Sequence, residues 1–259
     1  MPAYFVNMRE KIKREGFLPL LARKLKHIIY NVRFSLHTRF VDKRDPFEIA
    51  KLQNKYGYFR CGDITQPTGY NEGLGGDLHE VYRRIIQPYI HPDVCALDIG
   101  AGRGGFTKTM LGGGRAKEVW ALEAQPRWMC QIDEFLGFPK NFTFIRVKDF
   151  LCEDLPDNHF DYCLSMATFY LLTQEQQEAY FKNLFPKMKP GANCFIMLAD
   201  FEKYKNYLGH YPEILSDVNQ WQYNTAEISE RALKRYGWEV VSKDTGLLKR
   251  DAIIHFRKP

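Results

Sequence analysis

The 259 residues are 45% hydrophobic and 26% charged, enough to bury one sizeable α/β core with a short appendage but a tight fit for two full domains. The net charge of +6 is unevenly spread: residues 1–45 hold 11 Lys/Arg against 4 Asp/Glu, and the remainder 26 against 27. Basicity therefore belongs to an N-terminal arm, and the body gives no electrostatic sign of a nucleic-acid partner.

No run approaches ~18 uncharged apolar residues, so no membrane-spanning helix is expected. The opening "MPAYFVNMREKIKREG" is broken by charge before a signal core could form. Six cysteines (Cys61, Cys95, Cys130, Cys152, Cys163, Cys194) contain no C-x-x-C pair. They read as small buried hydrophobes of a reducing, cytoplasmic compartment, and no metal is expected.

The chain divides into a basic helical arm over residues 1–60 and a catalytic-type domain over 61–259. In the arm, Leu18, Leu21, Leu25, Ile28, Ile29, Val32 and Leu36 recur at helical spacing with Arg23, Lys24, Lys26 and Arg33 between them. Such a stripe packs on the main domain or a second subunit, or docks residues 17–40 on an anionic membrane surface or a neighbouring enzyme. A second helix is expected over 46–55, followed by an ordered Gly- and aromatic-rich loop, "YGYFRCGDITQPTGYNEGLGGD".

Beyond it, strands and helices alternate. "DLHEVYRRIIQPYI" is helical with Asp77 as N-cap, "VCALDIG" a buried strand, "GGFTKTML" a helix, "EVWALEA" a strand, and "PRWMCQIDEFLG" one helix ended by Gly137. Strands "FTFIRV" and "FDYCLSMA", helix "TQEQQEAYFKNLFPKM", a Pro190-Gly191 turn and strand "NCFIMLAD" follow. That alternation predicts a parallel sheet covered on both faces. "WEVVSKDTG" and "DAIIHFRK" leave no room for a helical crossover, so they should close the sheet as an antiparallel hairpin.

The glycine loop in "LDIGAGRGG" fits two ligands. Gly100-x-Gly102-x-x-Gly105 satisfies a dinucleotide pattern, and Asp98-x-Gly100-x-Gly102-x-Gly104 satisfies an S-adenosylmethionine (SAM) loop. Asp98 separates them by sign: a pyrophosphate there meets a like charge, whereas the ammonium and sulfonium of SAM meet an opposite one. Glu123, 19 residues after Gly104, ends the second strand where a carboxylate accepts ribose hydroxyls from either ligand. Asp149 follows the third strand, placed for an adenine amino group, with Phe150 as an apolar wall.

These residues, in this order, resemble the class I SAM-dependent methyltransferases over roughly Asp77 to Pro259. "LDIGAGRGG" is similar to their first motif, "LEAQP" to the acidic motif, "VKDF" to the adenine motif, "FDYCLSMATFYLL" to the fourth-strand motif and "MKPGANCFIMLAD" to the turn into strand five. The resemblance implies a Rossmann-like, seven-stranded, mostly parallel sheet with an antiparallel C-terminal hairpin and helices on both faces. It implies SAM contacts at Asp98, Gly100, Gly102, Glu123, Ala124, Asp149 and Phe150, Met166 near the methionine tail, and Tyr70 with Asn71 in a lid over the cofactor.

The substrate class is narrowed by what is missing. Nucleobase amine methyltransferases carry an Asp/Asn-Pro-Pro-aromatic run where this chain has "SMATFY", no Pro-Cys serves cytosine-C5 chemistry, and the ribose-2′-O tetrad has no counterpart. In "HFDYCLSMATFYLLTQEQQEAYFKNLFPKMKPG" and "ERALKRYGWEVVSKDTGLLKRDAIIHFRKP" the chain resembles sugar and polysaccharide O-methyltransferases of surface glycan pathways. Their histidines near strands four and five are replaced here by Leu171 and Met197-Leu198. Methylating a hydroxyl calls for a positioned base; Asp200 is the first candidate, His210 the second, then Glu213 and Tyr170. Arg103 is placed to meet an acidic sugar. A small-molecule N- or O-methyltransferase acting by proximity, a non-catalytic SAM-fold module and an NAD-dependent dehydrogenase are the rival readings.

Overall fold

A computed structural model describes residues 70–71, 76–112, 115–209 and 223–259, together with Leu18, Leu25, Ile28, Ile29 and Val32 of the arm. Seven strands form one sheet: β1 (Cys95–Ile99), β2 (Glu118–Glu123), β3 (Phe142–Arg146), β4 (Phe160–Ser165), β5 (Met188–Leu198), β6 (Glu239–Ser242) and β7 (Ala252–Arg257). Their order across the sheet is β3-β2-β1-β4-β5-β7-β6. The first five run parallel, and β7 pairs antiparallel with both β5 and β6. The terminal hairpin expected from the sequence is thus present, with its second strand inserted between its first strand and the parallel sheet.

All five residues of β1 are buried, and so is β4 at every position but Asp161. Strands covered on both faces have no solvent side on which to alternate, so their sequences read as continuous apolar runs. Leu97, Ile99, Cys163 and Ile196 enter one core layer, and Ala96, Leu164, Phe195 and Met197 enter the other. Five of the six cysteines fall among the described residues, and all five are buried free thiols.

Helices α1 (Leu78–Val81), α2 (Gly105–Leu111), α3 (Arg127–Cys130), α4 (Ile132–Leu136), α5 (Gln174–Leu184), α6 (Phe201–Leu208) and α7 (Ala226–Arg235) complete the domain. Asp77 caps α1 by accepting from His79 N at 2.9 Å, and the helix continues as a π-helical turn over Tyr82–Ile86. Thr173 and Gln176 form a reciprocal capping box at the start of α5, which satisfies two otherwise orphaned backbone donors.

Two local expectations are corrected. The single helix over "PRWMCQIDEFLG" is split at Gln131, whose φ of 53° is left-handed. Arg127 and Asp133 pair through two bonds of 2.7 and 2.6 Å across that break, although residues six apart do not face one another on a continuous helix. Arg127 also lies over the rings of Phe142 and Phe144, so contacts outside the segment favour the break. Pro190-Gly191 is not a turn but part of β5, where the register against β4 shifts between Phe160 and Tyr162. Gly191 takes φ +80° and donates to the Lys258 carbonyl at 2.8 Å, absorbing the irregularity inside the sheet.

The helix expected over 46–55 lies outside the described residues, as do most of the 1–60 arm, Glu213 and the second candidate base, His210.

Candidate active site

The glycine loop hangs from the carboxyl end of β1. Gly100 N and Ala101 N both donate to the Leu122 carbonyl, at 2.8 and 3.2 Å, which ties the loop to β2. Gly100, Gly102 and Gly104 have φ of 74°, 57° and 85°, a region costly for residues bearing a Cβ. At Gly100 there is also no space: an added Cβ would lie 1.8 Å from Thr168 Oγ1. At Gly104 it would lie 2.9 Å from Ile132 Cγ1, so the broken α3–α4 segment presses directly on the loop.

Asp98 and Glu123 end adjacent strands below this loop, and both are buried. Asp98 Oδ2 accepts from the Thr107 hydroxyl at 2.6 Å. Burial pushes the Asp98 carboxyl up to about 6, the Thr107 bond opposes that rise, and the neighbouring Glu123 charge adds to it. Glu123 Oε2 accepts from Gly102 N at 2.9 Å and Oε1 from Gln125 N at 2.9 Å. Burial raises its carboxyl too, against those backbone bonds. Each carboxylate oxygen has a second lone pair, which leaves Glu123 able to accept two further hydroxyls while holding the loop.

The remaining expected contacts lie along the same sheet edge. Ala124 is half-buried, and its carbonyl accepts from Arg146 Nε at 3.3 Å. Asp149 is exposed and closes a local turn through Leu151 N at 2.9 Å. Phe150 is half-buried and edge-on to Tyr180 at 5.2 Å. Met166 is buried just beyond β4, followed by Ala167 at φ 60° and by Thr168, which touches Gly100. The backbone of Tyr70–Asn71 pairs with Gly76–Asp77 in a small ribbon. That ribbon meets the β6–β7 loop through a bridge between Gly76 and Leu248.

Asp200, at the end of β5, has a structural use that its sequence position did not reveal. It caps α6 by accepting from Lys203 N at 3.1 Å, and its other oxygen accepts from Ala226 N at 3.1 Å. Beside it, Asp251 at the start of β7 is fully buried and bonded to Arg250 at 2.8 and 2.6 Å. Asp251 Oδ1 has no partner among the described residues. Burial pushes the Asp251 carboxyl up to about 6 despite the Arg250 charge, with Asp200 adding to the rise. Lys203 Nζ bonds the Asp251 carbonyl at 2.9 Å and pairs with Asp244, and Arg250 lies over the Tyr204 ring. Because β7 is antiparallel to β5, the start of one and the end of the other share the carboxyl edge of the parallel strands, where the glycine loop lies. Tyr170 is half-buried in the short helical turn after β4, and Arg103 is half-buried with a buried Nε that has no partner among the described residues.

Sequence reasoning missed Thr107, Thr168 and the pairing of Asp200 with Asp251. The first two carry no motif of their own, and the third joins residues 51 positions apart.

Residues 96–191, from β1 into β5, match the family described as a methyltransferase domain. The matched segment, which holds the glycine loop, Asp98 and Glu123, is thus similar to a methyltransferase domain. Its cofactor is S-adenosylmethionine. Among solved structures, the PH0226 protein of Pyrococcus horikoshii OT3 superposes on the chain with a TM-score of 0.57 at 15% identity, covering 76% of this chain and 94% of that one. A SAM-dependent methyltransferase from Aquifex aeolicus gives 0.54 at 17% identity over 74% and 95%. The N-methyltransferase NodS from Bradyrhizobium japonicum WM9, in complex with S-adenosylhomocysteine, gives 0.50 at 15% over 70% and 87%. At these identities the likeness is one of fold. No curated protein matches the sequence.

Proposed function

We propose that this methyltransferase domain transfers the methyl group of SAM to a hydroxyl of a sugar or glycan terminus, acidic sugars included. The observation that supports this reading most is the polar wall at the ends of β5 and β7, where Asp200, Tyr204, Arg250 and Asp251 stand together on the cofactor's edge. A polyhydroxylated acceptor presents several donors and acceptors at once and so suits a polar wall, in which Asp251 Oδ1 has no partner among the described residues.

The cofactor loop orients SAM by charge and shape. Asp98 and Glu123 are carboxylates that burial disfavours in ionised form; a cation and hydroxyl donors arriving beside them relieve that cost. Held beside Asp98 and Glu123, SAM would supply an electrophilic methyl group, and the acceptor hydroxyl that received it would give up its proton. Asp200 takes the proton, Asp251 lies behind it, and Arg250 offers a cation to a sugar carboxylate.

Radiolabelled methyl transfer from SAM to a panel of neutral sugars, acidic sugars, glycan ends and small amines tests the reading. Transfer to sugar hydroxyls is expected, and transfer confined to amines would overturn it.

The arm belongs to the same proposal. Leu18, Leu25, Ile28, Ile29 and Val32 all take helical positions and are 46–74% exposed. That exposure, with the basic residues between them in the sequence, supports docking on an anionic membrane surface. No described helix is long and apolar enough to cross a membrane. Co-sedimentation with anionic lipid vesicles is expected for the full chain and should be lost in the double variant Leu25→Glu/Ile28→Glu; equal sedimentation of both would overturn surface docking.

A further inference from the structure

At the edge of the sheet opposite the cofactor, three metal-ligating side chains converge from the beginnings of three neighbouring strands. Cys95 opens β1, Glu118 opens β2 and His159 immediately precedes β4. One ligand atom from each lies within 4.8 Å of the other two. His159 Nε2 and Glu118 Oε1 are 2.7 Å apart.

Their surroundings hold them in place. Trp120 Nε1 donates to Glu118 Oε2 at 3.1 Å, which leaves Oε1 turned toward His159. The His159 backbone N–H donates to the Lys187 carbonyl at 2.9 Å, and its ring stands edge-on to Phe160 at 4.9 Å. Cys95 N donates to Asp161 Oδ2 at 3.0 Å, and Asp161 is in turn held by Lys189 through two bonds of 2.9 Å. Cys95 is buried, whereas the side chains of Glu118 and His159 keep 27% and 31% exposure. The cluster therefore has both a rigid floor and an open path from solvent.

We infer that Cys95, Glu118 and His159 form a binding site for a zinc-class divalent cation, with water as the fourth ligand. A thiolate, an imidazole and a carboxylate are the donor set a borderline-soft tetrahedral ion takes, and three protein ligands with one open position is an established zinc arrangement. Tetrahedral coordination at zinc bond lengths separates ligand atoms by about 3.3–3.6 Å. The Glu118–His159 contact opens by a fraction of an ångström to reach that spacing. Binding displaces the thiol proton of Cys95, which passes to solvent, and inserts the cation between Glu118 and His159. No electron changes hands. The ion joins β1, β2 and β4 at their amino ends, remote from the methyl-transfer edge.

The test uses the full chain, freed of metal with a chelator, and Zn²⁺ or Co²⁺ alone as probe. Calorimetry should give one equivalent of Zn²⁺, and Co²⁺ should give tetrahedral visible bands with a thiolate-to-metal charge-transfer band in the near ultraviolet. His159→Gln and Glu118→Gln should each weaken Zn²⁺ binding at least tenfold. Cys95→Ala should abolish the charge-transfer band, with S-adenosylhomocysteine binding showing that each variant is folded. If Cys95→Ala fails to fold, the half-exposed His159→Gln carries the test by itself. Absence of stoichiometric Zn²⁺ binding, a Co²⁺ spectrum without thiolate character, or affinity unchanged in His159→Gln would overturn the site.

Discussion

Strand β2 begins and ends on a glutamate, and the two ends treat their carboxylates in opposite ways. At the carboxyl end, Glu123 accepts from two loop N–H groups, yet burial wins and its carboxyl is raised. At the amino end, burial acts on Glu118 as well, but hydrogen bonds from Trp120, Cys95 and His159 outweigh it and its carboxyl is lowered. The difference is compensation. The carboxyl edge leaves its buried acids under-compensated, which suits a cationic, hydroxyl-bearing ligand; the opposite edge satisfies its acid internally.

The comparison breaks most visibly at the cofactor edge. In Asp200→Asn, turnover should fall by about 100- to 10,000-fold while SAM affinity is retained. Asparagine is as good an N-cap as aspartate, so α6 keeps its cap; the amide cannot also accept from Ala226 N, and an unchanged unfolding midpoint beside the retained SAM affinity separates the proton-accepting role from that lost bond. Unchanged turnover would remove Asp200 from the reaction.

Next in size is Gly100→Ala, where the left-handed φ and the clash with Thr168 act together. A loss of about 3 kcal/mol or more in urea denaturation is expected. Adding Thr168→Ala should restore only part of it, because Thr168 Cβ itself would lie 2.7 Å from the new methyl group.

Asp98 sharpens the comparison through pH. Its carboxyl holds a proton up to about 6 in the folded chain against an ordinary value of 3.8, so the folded state takes up a proton that the unfolded state does not. The stability this provides is full below pH ~4 and is lost as pH rises through ~6, by up to about 3 kcal/mol. Asp98→Asn should reduce that dependence in cofactor-free protein, leaving the part that Asp251 contributes over the same range, and raise its midpoint at neutral pH. SAM binding, which needs the charged form, should weaken as pH falls through ~6 in the parent chain and be weak throughout in the variant. A pH dependence between 4 and 6 that is the same in Asp98→Asn as in the parent chain would contradict the assignment of Asp98 as under-compensated.

The smallest effect belongs to the opposite end of β2. Glu118→Gln in metal-free protein should cost only about 1 kcal/mol in urea denaturation, since the bonds lost are partly exposed to water. A loss approaching that of Gly100→Ala would mean that this edge, too, carries strain.

The sequence made the parallel core legible because each strand is a short apolar run followed by a helix with its own start signal, as with Thr173 before "QEQQEAYFKNL". The candidate cofactor residues were legible for a related reason. Asp98, Gly100, Gly102, Glu123 and Asp149 sit at strand ends in fixed order, and strand ends are set by local chemistry. The split at Gln131 was not legible, because it is favoured by Arg127 reaching Asp133 and two aromatic rings of β3. Pro190-Gly191 read as a turn because both residues favour one; only pairing with β4 and β7 absorbs them into a strand.

By itself, then, the sequence determined the alternating architecture, the antiparallel ending and the identity of the cofactor loop, all of which rest on spacing along the chain. Tertiary structure decided which distant residues became neighbours. Asp200 meets Asp251 because β7 inserts beside β5. Cys95, Glu118 and His159, separated by 23 and 41 positions, meet because three neighbouring parallel strands begin at the same edge of the sheet, Cys95 directly opposite Glu118. Parallel pairing aligns strand starts as strictly as strand ends, and no spacing rule within the chain records which residues it will bring together.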